Sequence, residues 1–151
     1  HLSAGSYNLF FHLSSMVPIQ LRTITLPEPR ILMQRRIWVT FRRKGVHYYA
    51  SAPEDVSYLR SPHRHLFHFK VTVTVDHNDR EIEFHQFLNW CESLYDSGTL
   101  ALDQRSCEMI AEDLIERIRQ SYPNRSGEVE VSEDGECGAI IRWSDVEQAG
   151  E

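Results

Sequence analysis

HRHLFHFKVTVTV, residues 63–75, is the stretch that decides how this chain folds. From Phe67 onward, large apolar residues alternate with His, Lys and Thr. A period of two is typical of a β-strand that has one face in the core. The apolar face is predicted to carry Phe67, Phe69, Val71, Val73 and Val75.

The same period, extended backwards, places His63 and His65 on the apolar face at the beginning of the strand. Two imidazoles at positions i and i+2 are well placed to bind one metal ion. A third ligand and an open coordination position would make such a site catalytic rather than structural. The pattern also fits histidines that are hydrogen-bonded in the core or at its rim, so both interpretations stay open.

Composition and charge are those of an ordinary folded chain. With 151 residues, of which 41% are hydrophobic and 25% charged, the chain is long enough for one domain with its own core. Its formal net charge of -6 argues against nucleic acid as a partner. The three cysteines form no CxxC pair, so we expect no disulfide framework, no cysteine-based zinc site and a cytoplasmic location.

The domain boundaries follow from the N-terminal composition. Residues 7–11 form an apolar run too short to span a bilayer, and no Lys or Arg precedes it as in a secretory signal. We expect residues 1–32 to be a poorly structured tail or extension, with Met33 as the functional start. The domain is predicted to cover 33–145, and residues 146–151 to be a C-terminal tail.

The remaining pattern predicts the order ββααββ. Gly45 is expected to interrupt the first strand, and a short strand at 80–84 is expected to form a hairpin with the long one. Two amphipathic helices follow, and Ser106 is predicted to cap the second. The strands are predicted at 36–43 (resuming at 46–49), 63–75, 80–84, 128–133 and 137–143, and the helices at 85–95 and from Ser106 to Tyr122.

Glu133 continues the inward face of a later strand. Val129 and Val131 point inward by alternation, and Glu133 is the next residue on that face. A carboxylate on a buried face costs roughly several kcal/mol unless it is paired or bound. Either the strand has already ended and the side chain lies in solvent, or the carboxylate accepts two N–H donors of a flat heterocycle such as a pterin or guanine.

Together these motifs resemble the 6-pyruvoyltetrahydropterin synthase and 6-carboxytetrahydropterin synthase family. His63-Arg64-His65 is similar to the family's His-Gly-His zinc pair, and Val131-Ser132-Glu133 to the Val-x-Glu that anchors the pterin ring. Ile82-Glu83-Phe84 looks like the segment that leads into the first helix, and Ser106 to Ala111 like the opening of the second. The resemblance covers about residues 34–143 and includes phage-encoded relatives of that family.

This resemblance implies an α+β T-fold, in which an antiparallel sheet carries two helices on one face and subunits close a barrel as trimers or hexamers. It implies Zn²⁺ as the cofactor, with His47 as the third ligand beside His63 and His65. It implies a pterin or purine-like small molecule anchored by Glu133. The implied activity is that of a carbon–oxygen lyase in pterin or 7-deazaguanine (queuosine) biosynthesis, without a nucleic-acid or membrane partner.

The sequence departs from the family where acid–base chemistry is expected. Leu59 stands at the position of the family's Cys, and Asp103-Gln104 has Gln where the family's Asp-His relay has His. Cys91 and Cys107 are interpreted as core or helix-terminal residues away from the metal. Candidates for the missing catalytic group are His68, Glu108 and Tyr49.

Three functional hypotheses remain. The first is a zinc-dependent, lyase-like enzyme with a different general base, since a lyase needs a titrating group near the metal. The second is a module that binds a pterin or purine and has lost catalysis. The third is a structural oligomer without a metal, which the histidine pair and the inward glutamate argue against.

Overall fold

The computed structural model describes residues 31–145, so the predicted tails lie almost wholly outside the described residues. This part of the chain has an α+β fold. The strands are β1 (Arg35–His47), β2 (His63–Val75), β3 (Leu100–Asp103), β4 (Ser126–Glu133) and β5 (Cys137–Ser144). The helices are α1 (Phe84–Ser93) and α2 (Cys107–Ser121), and a 3-10 helix covers Glu54–Arg60.

The strands form one sheet in the order β3-β1-β2-β4-β5. Strand β2 pairs antiparallel with β1 and β4, β4 pairs antiparallel with β5, and β3 pairs parallel with β1. The two long strands keep one register, from Arg35 opposite Val75 to His47 opposite His63. This register brings the end of β1 and the beginning of β2 together at one end of the sheet.

The core lies between one face of the sheet and the two α-helices. The alternation predicted for β2 is confirmed, because Phe67, Phe69, Val71 and Val73 are at most 1% exposed. Burial of each such side chain stabilises the fold by about 1.5–3 kcal/mol. Both helices contribute to the same core, with Phe87 and Cys91 from α1, and Ile110, Ala111, Leu114, Ile115 and Ile118 from α2.

Gly45 does not interrupt the first strand, contrary to the prediction, because β1 runs unbroken from Arg35 to His47. Glycine usually weakens a strand, but here the packing requires its missing Cβ. A Cβ on Gly45 would lie 2.7 Å from Leu102 Cδ1 and 2.7 Å from Phe67 Cε2. Because Gly45 has no side chain, Leu102 and Phe67 can pack directly against β1, and the strand continues to His47.

The predicted strand at 80–84 is wrong. The chain turns after β2, with a positive φ of 50° at Arg80, and α1 begins at Phe84. Glu83 caps this helix, since its carboxylate accepts hydrogen bonds from the backbone N–H groups of Gln86 and His85. The bond from Gln86, followed by that from His85, lowers the pKa of Glu83. Glutamate is not among the preferred N-cap residues, so the pattern gave no sign of this cap.

Strand β3 is an element that the sequence did not predict. Its parallel partner is the segment of β1 from Gly45 to His47, and Leu102 is buried in the core. Tyr48 N–H donates to the carbonyl of Asp103, which extends the contact beyond β1. Four residues are too few for alternation to be recognised, and the partner strand is distant in sequence.

Two further predictions are confirmed. Ser106 caps α2, because its hydroxyl accepts a hydrogen bond from Met109 N–H. Strands β4 and β5 form the predicted hairpin, with positive φ at Asp134 and Gly135 in the turn.

Within residues 31–145, no helix is long and apolar enough to cross a bilayer.

Candidate metal centre

Three histidines from two adjacent strands meet at one end of the sheet. His47 ends β1 directly opposite His63, which begins β2, and His65 lies two residues further along β2. The ring centroids are 4.6 Å apart for His47 and His63, 5.3 Å for His47 and His65, and 5.1 Å for His63 and His65. One nitrogen of each ring lies within 4.8 Å of those of the other two. The cluster could hold a metal ion.

The Nδ1 atom of each histidine is held by an oxygen acceptor. Carbonyl and carboxylate oxygens only accept hydrogen bonds, so each Nδ1 carries a proton, and in the neutral imidazole each Nε2 offers a lone pair. Metal-binding histidines are commonly oriented by such a second hydrogen bond. The pairs are His47 with the Arg105 carbonyl at 2.9 Å, His63 with the Ser61 carbonyl at 2.8 Å, and His65 with Asp134 Oδ2 at 2.6 Å.

The Nε2 atoms of His47 and His65 are buried and have no hydrogen-bond partner among the described residues. The side chain of His47 is 9% exposed and that of His65 20%. A buried polar atom without a partner costs about 1–3 kcal/mol. A metal ion would use both lone pairs, so this donor set fits a metal.

Glu133 brings a carboxylate to the same two nitrogens. Its Oε1 lies 3.0 Å from His47 Nε2, and its Oε2 lies 3.4 Å from His65 Nε2. Although the atoms are this close, neither contact has the geometry of an N–H···O hydrogen bond, and both Nε2 atoms stay unpaired among the described residues. The structure therefore places Glu133 beside the histidine cluster, with its side chain 30% exposed.

Asp134 orients His65 from the β4–β5 turn. In addition to its bond with His65, its carboxylate accepts a hydrogen bond of 2.9 Å from Leu66 N–H. The bond from Leu66, followed by that from His65, lowers the pKa of Asp134. Sequence reasoning missed this residue, and its position directly after Glu133 in the turn was the one available signal.

One cavity of about 370 Å³ adjoins the histidines. Its walls come from the end of β1, the 3-10 helix, the beginning of α2 and the β4–β5 hairpin. Cavities of about 300–1,000 Å³ with a few polar groups are typical of small-molecule sites. The groups on its walls that can bind or titrate include His47, His63, Cys107, Glu108 and Glu133.

Cys107 is a buried residue at the beginning of a helix, as predicted, but it also lines this cavity, contrary to the prediction that its thiol lies away from the metal. It is the first residue of α2 and is 7% exposed. Burial raises the pKa of the Cys107 thiol to about 11, and the neighbouring Glu133 and Glu108 carboxylates act in the same direction. The thiol is therefore protonated at neutral pH. Cys91 lies in the core, as predicted.

The other candidate residues are divided between two places. Glu108 and Tyr49 line the cavity beside the histidines, and so does Leu59. His68 lies on the opposite face of β2 and lines a separate cavity that Glu130 also borders. The structure thus does not bring His68 to the cluster.

Comparison with known proteins adds no further constraint on this site. Neither a scan against protein-family models nor a search of curated proteins found a match to this chain. The assignment of a function therefore depends on the three histidines, the two acidic residues that contact them and the adjoining cavity.

Proposed function

We propose that this chain is a zinc-dependent, lyase-like enzyme with a T-fold, similar to the 6-pyruvoyl- and 6-carboxytetrahydropterin synthases, that acts on a pterin or deazapurine-like heterocycle. The observation that carries the proposal is the cluster of His47, His63 and His65. Each Nδ1 is held by an acceptor, which leaves three lone pairs for one ion.

Zinc is the metal that we propose for this donor set. Imidazole nitrogens suit zinc as well as copper, iron and nickel, and three protein ligands with one further position are typical of catalytic zinc sites. When bound, Zn²⁺ polarises a carbonyl or hydroxyl oxygen of a substrate. His47 and His63 also line the cavity, so a molecule bound there would lie beside the metal ligands.

The order of the strands supports the T-fold proposal. Strands β1, β2, β4 and β5 are neighbours in the sheet and pair antiparallel, and both α-helices fall between β2 and β4 in sequence. Strand β3 is then an addition at the β1 edge. The edge strand β5 contributes Cys137 and Gly138 to the cavity. A neighbouring subunit that paired with this edge would complete the cavity wall, which is consistent with a trimer or hexamer.

The cavity walls support a flat heterocycle as the ligand. Tyr48, Tyr49, Leu59 and Met109 supply aromatic and apolar surface, and Glu108 supplies a carboxylate. Carboxylate oxygens only accept hydrogen bonds, so they select a ring with N–H donors, as pterins and guanines have.

A binding module without catalysis is the second candidate, and one observation favours it. Leu59 lines the cavity at the position where the family resemblance implies a reactive thiol. Two thiols line the cavity, and that of Cys107 is protonated at neutral pH because burial raises its pKa to about 11. Catalysis would then depend on another group of the cavity, either the exposed thiol of Cys137 or a carboxylate, for which Glu108 is the candidate.

Calorimetry tests this proposal with pterin, guanine and 7-deazaguanine compounds titrated into zinc-loaded and zinc-free wild-type protein. We expect binding that is tighter in the zinc-loaded form. Chromatography of the incubated mixtures separates the two candidates, because product formation indicates the enzyme and binding without product indicates the module. Absence of binding at millimolar concentration would contradict both.

A pair of variants provides the matched control for this titration. Glu108→Gln removes a carboxylate from the cavity and should weaken binding by about tenfold, the value of one charge-assisted hydrogen bond. Glu112→Gln makes the same change on the exposed side of α2 and should leave the affinity unchanged.

A further inference from the structure

The carboxylate of Glu133 lies against two groups of the same electrostatic sign. Its oxygens are 3.0 Å from His47 Nε2 and 3.4 Å from His65 Nε2. Each ring donates its Nδ1 proton, to the Arg105 carbonyl or to Asp134, so in the neutral imidazole the Nε2 atom that faces Glu133 presents a lone pair. Lone pairs and carboxylate oxygens repel one another at such distances unless a positive charge lies between them.

A metal ion supplies that charge better than two additional protons do. A proton on each Nε2 would be stabilised by a hydrogen bond to Glu133, but neither contact has hydrogen-bond geometry, and both nitrogens are unpaired within residues 31–145. A metal ion does not require the carboxylate oxygen to lie in the direction of an N–H bond, because the ion itself lies between the donor atoms. One ion can therefore satisfy His47, His65 and Glu133 together.

The observed separations fit coordination to one ion. With ligand–metal distances of 2.0–2.2 Å and tetrahedral geometry, neighbouring ligand atoms lie about 3.3 Å apart. The values of 3.0 Å and 3.4 Å for Glu133 are on either side of this separation. Carboxylate oxygen is also one of the three kinds of ligand that zinc accepts in proteins.

The backbone holds Glu133 at this position. It is the last residue of β4 and lies opposite Phe67 in β2 and Cys137 in β5. The next residue, Asp134, donates its N–H to the carbonyl of Leu66, which fastens the turn to β2 at the histidines. The carboxylate on β4 is therefore fixed beside β2, the strand that carries His63 and His65.

We propose that Glu133 is the fourth ligand of the metal in the resting protein, together with His47, His63 and His65. This inference rests on the proposed metal site and adds to it that a carboxylate closes the last coordination position. An incoming substrate then has to replace an anionic ligand. The site therefore selects a substrate with a negatively charged oxygen or with two adjacent oxygen donors next to the ring.

Zinc affinity, measured by competition with a chelator, tests the role of Glu133. Glu133→Gln keeps the shape of the side chain and removes its charge, and should weaken zinc binding by about tenfold to a hundredfold. The matched control is Glu136→Gln, which removes a charge from the exposed side of the same turn but not from the histidines, and should leave zinc affinity unchanged. Urea unfolding of both zinc-free variants checks that each is folded.

The optical spectrum of the cobalt-substituted protein gives a second, independent readout. Azide should alter the spectrum of Glu133→Gln at a lower concentration than that of wild type, because the fourth position is no longer closed by a carboxylate.

Three results would separate the inference from the function on which it rests. Unchanged zinc affinity in Glu133→Gln with weakened heterocycle binding would assign Glu133 to the ring and overturn the inference alone. An equal loss of zinc affinity in Glu136→Gln would show that any lost charge near the site has this effect, and would overturn the inference too. Wild-type protein that binds no zinc would overturn both the inference and the proposed function.

Discussion

His47 and His63 lie directly opposite each other in the antiparallel pairing of β1 with β2, and their ring centroids are 4.6 Å apart. Opposite residues in such a pair have Cβ atoms about 4.5–5.5 Å apart, close enough to share one ion. His65 is the next residue of β2 on the same face. The register of β1 against β2 therefore brings the third ligand, His47, to the other two. A slip of one residue would turn His47 to the other face of the sheet.

Asp134→Asn should weaken zinc binding by about tenfold to a hundredfold, the range for residues that orient a metal ligand. The Asp134 carboxylate accepts hydrogen bonds from both His65 Nδ1 and Leu66 N–H, and an amide has one oxygen for two donors. Chelator competition measures the change. Glu136→Gln, in the same turn and exposed, is the control. Equal zinc affinity in Asp134→Asn and wild type would refute the orienting role.

Gly45→Ala should lower the free energy of unfolding by about 1–3 kcal/mol, the usual effect of an overpacked core. The added Cβ would lie 2.7 Å from both Leu102 Cδ1 and Phe67 Cε2. Zinc affinity should fall as well, because Gly45 pairs with His65. Urea denaturation measures stability, with Gly98→Ala as the control, since no atom of residues 31–145, apart from its own chain neighbours, lies within 4 Å of a Cβ there. Two variants of equal stability would contradict the close packing at Gly45.

Glu81→Gln should destabilise the protein by about 1.5–3 kcal/mol at neutral pH, the value of hydrogen bonds to a charged group. The bond from Asp76 N–H, followed by that from Arg125, lowers the pKa of Glu81 below its ordinary value of 4.5. The stabilisation is therefore complete above the unfolded-state pKa and is lost as the pH falls through the lower folded-state pKa. Denaturation of wild type and of Glu81→Gln at a series of pH values should show that the difference between their free energies of unfolding disappears in acid. A difference that is constant with pH would contradict this assignment.

Thiol labelling of the native protein should distinguish the three cysteines. Cys137 is exposed, whereas burial raises the pKa of Cys91 to about 12 and that of Cys107 to about 11. Because the thiolate is the reactive form, Cys137 should react first with a disulfide reagent at neutral pH, and the other two on unfolding. The rapid phase should disappear in Cys137→Ser. Rapid labelling of Cys107 in the native protein would contradict its burial.

The predictions that the structure confirms came from patterns of adjacent residues, chiefly the alternation of apolar and polar side chains along a strand. Alternation along β2 identified the buried face from Phe67 to Val73 and placed His63 and His65 on it. Alternation along β4 likewise placed Glu133 on the inward face, and the structure brings it to the histidines. In each case the information lies within a few adjacent residues.

The parts that sequence reasoning missed depend on contacts between distant residues. Asp134 acts on His65 because a turn folds back onto β2, and no local pattern indicates that contact. Gly45 was interpreted as a break because the side chains that fill its empty space, Leu102 and Phe67, belong to other strands. Cys107 was placed away from the metal because the beginning of α2 meets the end of β1 only in the folded chain.

Elemental analysis of protein purified without chelators tests the central claim most directly. Wild type should contain about one zinc per chain, since three imidazoles with protonated Nδ1 atoms form one site. His63→Ala combined with His65→Ala should lose it, whereas His68→Ala, on the opposite face of β2, should retain it. Metal-free wild type with full solubility and stability, or an equal loss of zinc in His68→Ala, would contradict the account.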